Sequence, residues 1–424
     1  MSGNEAIAYG AYLSGVRVAS AYPGTPSTEI LENLARYRGV RAEWAPNEKV
    51  ALDVAIGAAY CGARAMAAMK HVGLNVAADS LFYASYTGLR AGLVVVTADD
   101  PGLYSSQNEQ DNRHYARFAK VPVLEPTDSE EACRYVGIAL EISERFDTPV
   151  LLRTTTRISH SKTPVEERPE PAGAAGDGAA APGEPPRAAF EPDPAKFVMI
   201  PGYARLRHPV VEERLRQLGE FAEGFSENRL EMGDLDLGII ASGVAYRYAR
   251  EVFPRASFLR LGMSYPLPAG LVRRFASSVR RVLVVEELDP FLEEQVRLMG
   301  VEVTGKEVFP MVGELNPGLV REGARRAGIP VPGEAPGSGQ TAGTPPAVEL
   351  PKRPPVLCPG CGHRGVFYAL GRLKAKVFGD IGCYTLGVMP PLSAIHTCGC
   401  MGASLGVLHG ARQAGAEGPL VGVI

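Results

Sequence analysis

Short apolar runs alternate with longer amphipathic patterns three times along the chain, and this alternation restricts the fold more than any other feature. Residues 1–165 contain continuous apolar runs such as Val16–Ala21 and Leu93–Ala98. A strand that is apolar along its whole length is buried on both faces, which is typical of a parallel sheet between two layers of helices. Residues 234–329 repeat the rhythm and residues 356–424 begin it again. The sequence therefore predicts an α/β fold with two doubly wound, mainly parallel-sheet domains and the start of a third.

Two segments rich in proline and glycine, residues 166–194 and 330–355, are unsuited to a packed core and divide the chain. We expect a first domain at 1–165, a Pro/Gly-rich linker with a helical connector at 166–233, a second domain at 234–329, a second linker at 330–355 and the start of a third domain at 356–424. The last residues, 418–424, are typical of a buried strand, so we expect the third domain to continue beyond Ile424.

Charge and composition exclude several classes of protein. The chain has 44 Lys and Arg against 47 Asp and Glu, which leaves no basic field to attract nucleic acid or an anionic membrane. A content of 46% hydrophobic and 21% charged residues is typical of a globular protein, and no apolar run reaches the roughly 20 residues that span a bilayer. We expect a cytoplasmic protein without nucleic-acid or membrane partners.

Three loops at predicted strand ends carry candidate site residues, because ligands of such sheets bind at the carboxyl ends of the strands. Thr25 is predicted to cap a helix that begins at Pro26. Glu48 opens an almost uncharged helix, where it either balances the helix dipole or is desolvated with a raised pKa that suits contact with a ligand nitrogen. Arg113 follows a long polar loop and offers a fork for a carboxylate, or else forms a surface ion pair.

Five of the seven cysteines lie in the last 67 residues. The segment from Cys358 to Arg364, Cys-Pro-Gly-Cys-Gly-His-Arg, precedes a helical pattern, so its amides could hold a phosphate. A redox pair lacks the preceding strand that it needs, and a zinc site would enclose a whole α/β unit. Iron–sulfur ligation by Cys358, Cys361 and Cys383 would need a fourth thiolate from Cys398 or Cys400.

Seven segments together resemble the α subunits of indolepyruvate ferredoxin oxidoreductases, in the thiamine-diphosphate-dependent 2-oxoacid:ferredoxin oxidoreductase superfamily. The resemblance covers the chain except its two linkers. The segments that carry it are Tyr22-Pro-Gly-Thr-Pro-Ser-Thr28, Asn47-Glu-Lys-Val-Ala51, Met69-Lys-His-Val-Gly-Leu-Asn75, Ala98-Asp-Asp-Pro-Gly102, Cys358-Pro-Gly-Cys-Gly-His-Arg364, Gly379-Asp-Ile-Gly-Cys-Tyr-Thr-Leu386 and Cys400-Met-Gly-Ala-Ser404.

The resemblance implies a role for each candidate residue. The first domain would be of the pyrimidine-binding type, with Glu48 on the ring nitrogen of thiamine diphosphate and with Thr25 and Arg113 facing the 2-oxoacid carboxylate. The second would be like the C-terminal domain of transketolase. The third would be of the diphosphate-binding type, with Met401 holding the cofactor bent. Its implied diphosphate contacts are Gly360, Cys361, Gly362, His363, Gly382 and Cys383.

The resemblance also implies a reaction. It is the oxidative decarboxylation of indolepyruvate or another aryl pyruvate with coenzyme A, giving the aryl-acetyl-CoA, CO₂ and reduced ferredoxin. The implied partners are a smaller β subunit and ferredoxin, in a dimer of heterodimers. The ligands of Mg²⁺ and the cysteines of the full-length enzyme's iron–sulfur clusters are expected after Ile424, so we expect this chain to be inactive alone. Alternatives are another 2-oxoacid:ferredoxin oxidoreductase subunit, or a non-catalytic module that binds thiamine diphosphate or a metal.

Overall fold

The computed structural model describes residues 1–169, 190–333 and 355–424, which fall into two compact units. The first unit contains the described residues up to 333, and the second contains those from 355 onward. Most of the two predicted linkers, residues 170–189 and 334–354, lies outside the described residues.

A seven-stranded sheet forms the centre of the first unit, in the order β10-β5-β6-β4-β3-β1-β2. All neighbouring strands are parallel except β10, which pairs antiparallel with β5. The central strands β3 and β4 are buried along their whole length, as their continuous apolar runs predict. The strands are β1 Val18–Ala21, β2 Arg41–Trp44, β3 Ala65–Lys70, β4 Leu93–Asp99, β5 Val123–Leu124, β6 Val150–Thr155 and β10 Met263–Tyr265.

Helices cover both faces of this sheet. Met66 and Ala68 of β3 pack in one layer with α1, α2 and α6, while Ala67 and Met69 pack in the other with α3, α4 and α5. The fold is therefore doubly wound, as predicted, with an additional helix at the start of the chain. The helices are α1 Gly3–Leu13, α2 Thr28–Leu34, α3 Glu48–Tyr60, α4 His71–Thr87, α5 Arg113–Ala119, α6 Ser129–Phe146 and α7 Thr156–His160.

A second, four-stranded sheet lies in the same unit, in the order β11-β8-β9-β7, with β7 antiparallel to its neighbour. Its strands are β7 Arg229–Glu231, β8 Asp234–Ser242, β9 Ala256–Leu261 and β11 Val282–Val285. The accompanying helices are α8 Pro194–Phe197, α9 Pro201–Glu223, α10 Gly243–Val252, α11 Ala269–Ser277, α12 Phe291–Leu298 and α13 Pro317–Arg326. Helix α9 supplies the predicted helical connector. Beside β11, Thr304 forms an isolated parallel bridge with Leu283.

The second unit has a small core in which two parallel strands pack with one α-helix and a 3₁₀ helix. Its elements are α14 Gly362–Arg372, β12 Lys376–Phe378, a 3₁₀ helix at Cys383–Val388, α15 Ala403–Gln413 and β13 Leu420–Gly422. This order of elements agrees with the predicted start of a third α/β domain. Among the described residues of both units, no helix is long and apolar enough to cross a membrane.

Candidate functional site

The loop after β1, the end of β3 and the loop after β4 meet at the carboxyl edge of the seven-stranded sheet. A Cβ on Gly24, after β1, would lie 3.0 Å from Cβ of Lys70, the last residue of β3. Lys70 Nζ donates to the main-chain oxygen of Ser105 at 2.7 Å, and Ser105 Oγ donates to that of Thr25 at 3.3 Å. The edge therefore joins Thr25, Lys70 and the polar loop after β4 in one connected surface.

Thr25 lies at this edge with its side chain exposed, but it does not cap a helix. Residues 24–27 form a turn in which the N–H and hydroxyl of Ser27 both donate to the Gly24 oxygen at 2.9 Å. Thr28 Oγ1 accepts from the Gly24 N–H at 2.9 Å, and α2 begins only at Thr28. The predicted cap at Thr25 with Pro26 as the first helical residue is thus wrong, because the turn uses both residues. The role of Thr25 toward a substrate stays a prediction.

Glu48 is the first residue of α3, after an Asn47 cap whose side chain accepts from the Val50 N–H at 3.0 Å. Its carboxyl packs against α4, so closely that a Cβ on Gly73 would lie 2.7 Å from Oε1. Glu48 is 9% exposed, and the ion pairs of the described residues do not include it. Burial raises the pKa of this carboxyl above its ordinary value. Of the two alternatives that the sequence leaves open for Glu48, the structure favours the desolvated carboxyl, whereas its catalytic role stays a prediction.

His71 is the first residue of α4, two residues before Gly73, and it is fully buried. The sequence did not indicate a role for it. Its Nε2 lies 3.2 Å from the main-chain oxygen of Asn108 and 3.0 Å from Oδ1 of the same residue. Two oxygen partners make Nε2 the protonated nitrogen, and burial lowers the imidazole pKa, so His71 is neutral. Its Nδ1 has no hydrogen-bond partner among the described residues. The signal in the sequence was the Met69-Lys-His segment at the end of an apolar strand.

Hydrogen bonds to neighbouring elements hold the polar loop after β4 in place. Asp100 accepts hydrogen bonds from the N–H of Ser105 at 2.9 Å and from Thr156 Oγ1 at 2.7 Å. Gln110 and Asn112 donate to the main-chain oxygen of His71 at 3.0 and 3.2 Å. These contacts fix the loop over the ends of β3 and β4, so the surface around Thr25 and Lys70 is preorganised.

Arg113 does not lie on this surface. It is 1% exposed and forms ion pairs with Asp111 and, at 2.9 Å, with Glu286 after β11 of the second sheet. Its Nη2 also donates to the main-chain oxygen of Glu287 at 3.1 Å. The guanidinium is therefore occupied by carboxylates of the protein itself and ties the two sheets together. The structure argues against the predicted contact of Arg113 with a substrate carboxylate, because the buried guanidinium already pairs with two carboxylates of the protein.

In the second unit, the residues predicted to hold a diphosphate lie on exposed loops before two helices. Cys361 precedes α14 without a side-chain cap, and Gly360 has φ +77° with open space where a Cβ would stand. Helix α14 has no acidic residue in its first turn, which leaves its amides available to an anion. The remaining predicted contacts, all exposed, are Gly362, His363, Gly382, Cys383 and Met401.

Asp380 organises these loops and was missed from the sequence. It is buried after β12, and its Oδ2 accepts from the N–H of Gly402 at 2.6 Å and from Ser404 Oγ at 3.4 Å. Its main-chain oxygen accepts from the Cys398 thiol at 3.3 Å. The loop that carries Gly382 is thereby joined to the start of α15, so the predicted contacts after β12 and before α15 lie on one side of this small unit.

The cysteines do not form a metal site in the described part of the chain. Cys358, Cys361 and Cys383, predicted as iron–sulfur ligands, are free thiols. No group of three or more His, Cys, Asp or Glu side chains among the described residues could hold a metal ion. The described structure therefore gives no support to iron–sulfur or zinc ligation by these residues, which stays a prediction: Cys358 lies in the turn before α14, Cys361 directly precedes that helix and Cys383 begins the 3₁₀ helix.

Two features fit thiamine diphosphate. The Glu48 carboxyl is buried without an ionic partner, which suits contact with a ring nitrogen that shares a proton. The open glycine loop before α14 suits an anionic diphosphate. The family described as pyruvate flavodoxin/ferredoxin oxidoreductase, thiamine diP-bdg, matches residues 9–213, which include Glu48. The fold and the site therefore define a protein of the 2-oxoacid:ferredoxin oxidoreductase type.

Relatives identify the family within that class. The chain is 43% identical to the indolepyruvate oxidoreductase subunits IorA of Methanothermobacter thermautotrophicus and Archaeoglobus fulgidus, over 96% of its own length and 67% of theirs. It is 41% identical to IorA of Thermococcus kodakarensis over 96% of this chain and 65% of that protein. The chain belongs to the family of indolepyruvate oxidoreductase subunits IorA, and spans about two thirds of the length of these relatives.

A solved structure supports the fold. The 2-oxoglutarate:ferredoxin oxidoreductase from Magnetococcus marinus, with 2-oxoglutarate, coenzyme A and succinyl-CoA bound, superposes with a TM-score of 0.58. The superposition covers 77% of this chain and 64% of the oxidoreductase chain, at 19% sequence identity. At this identity the similarity concerns the α/β architecture alone.

Proposed function

We propose that this chain is the α subunit of an enzyme that decarboxylates indolepyruvate or another aryl pyruvate oxidatively, with coenzyme A and ferredoxin as co-substrates. The observation that carries the proposal is the buried Glu48 carboxyl over Gly73, at the sheet edge of a chain 43% identical to IorA. The relatives are named for indolepyruvate, and that name supports the choice of an aryl pyruvate.

Glu48 would bind the aminopyrimidine of thiamine diphosphate. Because burial favours the protonated carboxyl, Glu48 can share a proton with a ring nitrogen and favour the imino form of the neighbouring amino group. When bound, thiamine diphosphate supplies a ring that accepts the electrons released as a 2-oxoacid loses CO₂. The protein's part is to orient the ketone, to exclude water and to hold this proton. Thr25, exposed at the same edge, would face the 2-oxoacid.

The second unit would hold the diphosphate. Gly360, Gly362 and His363 lie at the start of α14, where free amides favour an anion. Gly382 and Cys383 lie on the loop that Asp380 joins to α15, and Met401, 56% exposed, would contact the cofactor from the same side. Mg²⁺ would accompany the diphosphate.

The partners follow from the same proposal. The relatives are named as subunits, which supports assembly with a smaller β subunit, and we propose a dimer of such heterodimers. Ferredoxin would take the electrons through iron–sulfur clusters of the complete enzyme. A cytoplasmic location is in keeping with the balanced charge and globular composition.

The test uses the complete enzyme, meaning this chain at its natural full length together with its smaller subunit. Thiamine diphosphate binding is measured by calorimetry, and viologen reduction is measured with indolepyruvate, pyruvate and 2-oxoglutarate in the presence of coenzyme A. We expect the highest kcat/KM with indolepyruvate, and at least a 100-fold loss of kcat in Glu48→Gln. Glu32→Gln, on the exposed side of α2, is the control. Unchanged turnover of Glu48→Gln, or preference for 2-oxoglutarate, would contradict the proposal.

A further inference from the structure

Lys70 is a buried cation at the carboxyl edge of the first sheet that has no carboxylate partner. It is 8% exposed, and its ammonium donates to a neutral group, the main-chain oxygen of Ser105 at 2.7 Å. The ion pairs formed within the described residues do not include it. Lysine is almost never this buried unless it is paired, so an unpaired one needs an explanation.

The position of Lys70 in its helix adds a second cost. Lys70 is the residue before α4, a helix of 17 residues, and its side chain makes no capping bond. The amino end of a helix carries partial positive charge, which repels a cation. Burial lowers the pKa of this ammonium, and only the more distant Asp100 carboxylate opposes that effect. An anion bound here would offset both costs.

Three arginines elsewhere in the first unit already face carboxylates. Arg113 pairs with Glu286 at 2.9 Å, and Arg153 pairs with Asp99 at 2.7 Å. Arg157 pairs with Glu314 at 2.7 Å, and the neighbouring His71 is neutral. Of these side chains, Lys70 alone keeps a positive charge without a carboxylate within 4 Å in the described structure.

Lys70 also lies where the substrate would lie under the proposed function. Its Cβ packs beneath Gly24, next to Thr25, and Ser105 hydrogen-bonds to both Lys70 and Thr25. On the other side, the helix that follows Lys70 contacts the Glu48 carboxyl at Gly73. Lys70 is therefore between the residue proposed to face the 2-oxoacid and the residue proposed to hold the cofactor ring.

We propose that Lys70 binds the carboxylate of the 2-oxoacid substrate, the task for which Arg113 is unavailable. The proposal rests on the proposed function, since it takes the ligand at this edge to be a 2-oxoacid. The ammonium would donate a charge-assisted hydrogen bond to the carboxylate while keeping, or exchanging, its bond to Ser105. Because the carboxylate is lost as CO₂, Lys70 contributes to substrate binding and orientation rather than to proton transfer.

The test compares a charged and a neutral analogue on the complete enzyme loaded with thiamine diphosphate. Indole-3-propionate has a carboxylate but no ketone to react, and indole-3-propionamide is its neutral counterpart. We expect Lys70→Met to raise the Kd of indole-3-propionate roughly 10- to 100-fold and to change the Kd of the amide by no more than about twofold. KM for indolepyruvate should rise by the same factor, with a smaller change in kcat.

Lys196→Met is the matched control. Lys196 Nζ also donates to a main-chain oxygen, that of Leu89 at 2.9 Å, but it lies after the far end of α4 and pairs with Asp147. We expect no change in either analogue's Kd. Lys70→Arg keeps the charge and should retain most of the affinity for indole-3-propionate.

Three results would overturn the assignment. Equal weakening of both analogues by Lys70→Met would show a merely structural role, and an unchanged Kd for indole-3-propionate would show no role. A selective loss of coenzyme A binding would assign Lys70 to a phosphate instead. Since its charge is unpaired, Lys70→Met should melt no lower than the wild-type chain without ligand. Failure of the wild-type enzyme to bind or turn over any aryl pyruvate would instead refute the proposed function itself.

Discussion

The contact between Gly73 and Glu48 gives a sharp prediction. A Cβ on Gly73 would lie 2.6 Å from Cγ, 2.7 Å from Oε1 and 2.9 Å from Cδ of Glu48, whereas carbon atoms in contact normally stay about 3.5–4.0 Å apart. Gly73→Ala must therefore displace the Glu48 side chain. Overpacking of this kind costs about 1–3 kcal/mol, while alanine gains about 0.5–1 kcal/mol over glycine in a helix.

Gly57→Ala supplies the reference for this helix term. Gly57 lies in α3, and an added Cβ there meets nothing within 4 Å, so this variant should be more stable than wild type by about 0.5–1 kcal/mol. Gly73→Ala should be about 1–3 kcal/mol less stable than Gly57→Ala. In a Glu48→Ala background the obstacle is gone, and Gly73→Ala should then behave like Gly57→Ala.

The assay is a double-mutant cycle by urea unfolding, with thiamine diphosphate affinity of the complete enzyme as a second measurement. We expect a coupling free energy of about 1–3 kcal/mol between the two positions and a large loss of cofactor affinity in Gly73→Ala. A coupling below about 0.5 kcal/mol would mean that Glu48 does not rest on Gly73, and the placement of the carboxyl would have to be given up.

Three more predictions follow from buried charges. Because burial raises the pKa of Glu48 from its ordinary 4.5, the stability it contributes is complete below pH 4.5 and is lost as the pH rises through the raised value. Without ligand, the melting temperature of Glu48→Gln minus that of wild type should therefore increase from pH 4 to pH 8. A difference that stays constant over this range would contradict the prediction. Arg113→Met leaves buried carboxylates unpaired and should cost about 3–5 kcal/mol by urea unfolding, whereas the exposed Arg117→Met should cost less than about 1 kcal/mol; equal losses would refute the buried network. Asp380→Ala removes the hydrogen bonds to Gly402 and should lower hydrogen-exchange protection of α15 at least tenfold, an effect whose absence would exclude the organising role.

Elements with a strong pattern were predictable from the sequence, and long-range charge pairing was not. The apolar runs at β3 and β4 specify burial locally, so the place of these strands followed from neighbouring residues. The uncharged helix after Glu48 made a desolvated carboxyl with a raised pKa one of two alternatives, and the structure favours that one. The predicted contact of Arg113 with a substrate carboxylate was wrong because the partner of Arg113 is distant in sequence. Its partner Glu286 is 173 residues away, and nothing in the local loop reveals that contact.

Lys70 and Asp380 show a related limit. Lys70 ends an apolar strand and Asp380 lies just after one, and both belong to segments that carry the family resemblance, but a charged residue at a strand end is usually exposed. That Lys70 lacks a carboxylate, and that Asp380 accepts the Gly402 N–H, depends on which loops meet in space. The cap predicted at Thr25 failed more locally, because the hydroxyls of Ser27 and Thr28 close a turn on Gly24 before the helix begins.

The short strand β10 has a consequence for how this protein is made. In the chain, β10 follows the strands β7, β8 and β9 of the four-stranded sheet, but it pairs with β5. Residues 263–265 therefore form one edge of the seven-stranded sheet, whose other strands all lie before residue 156. During synthesis, the ribosome must pass Tyr265 before the edge of the first sheet can be closed. Until then, β5 presents open main-chain groups that can pair with other chains. While residues 156–265 are being synthesised, the nascent chain can therefore associate with other chains through β5. The seven-stranded sheet is completed only by a strand that follows much of the second sheet in sequence.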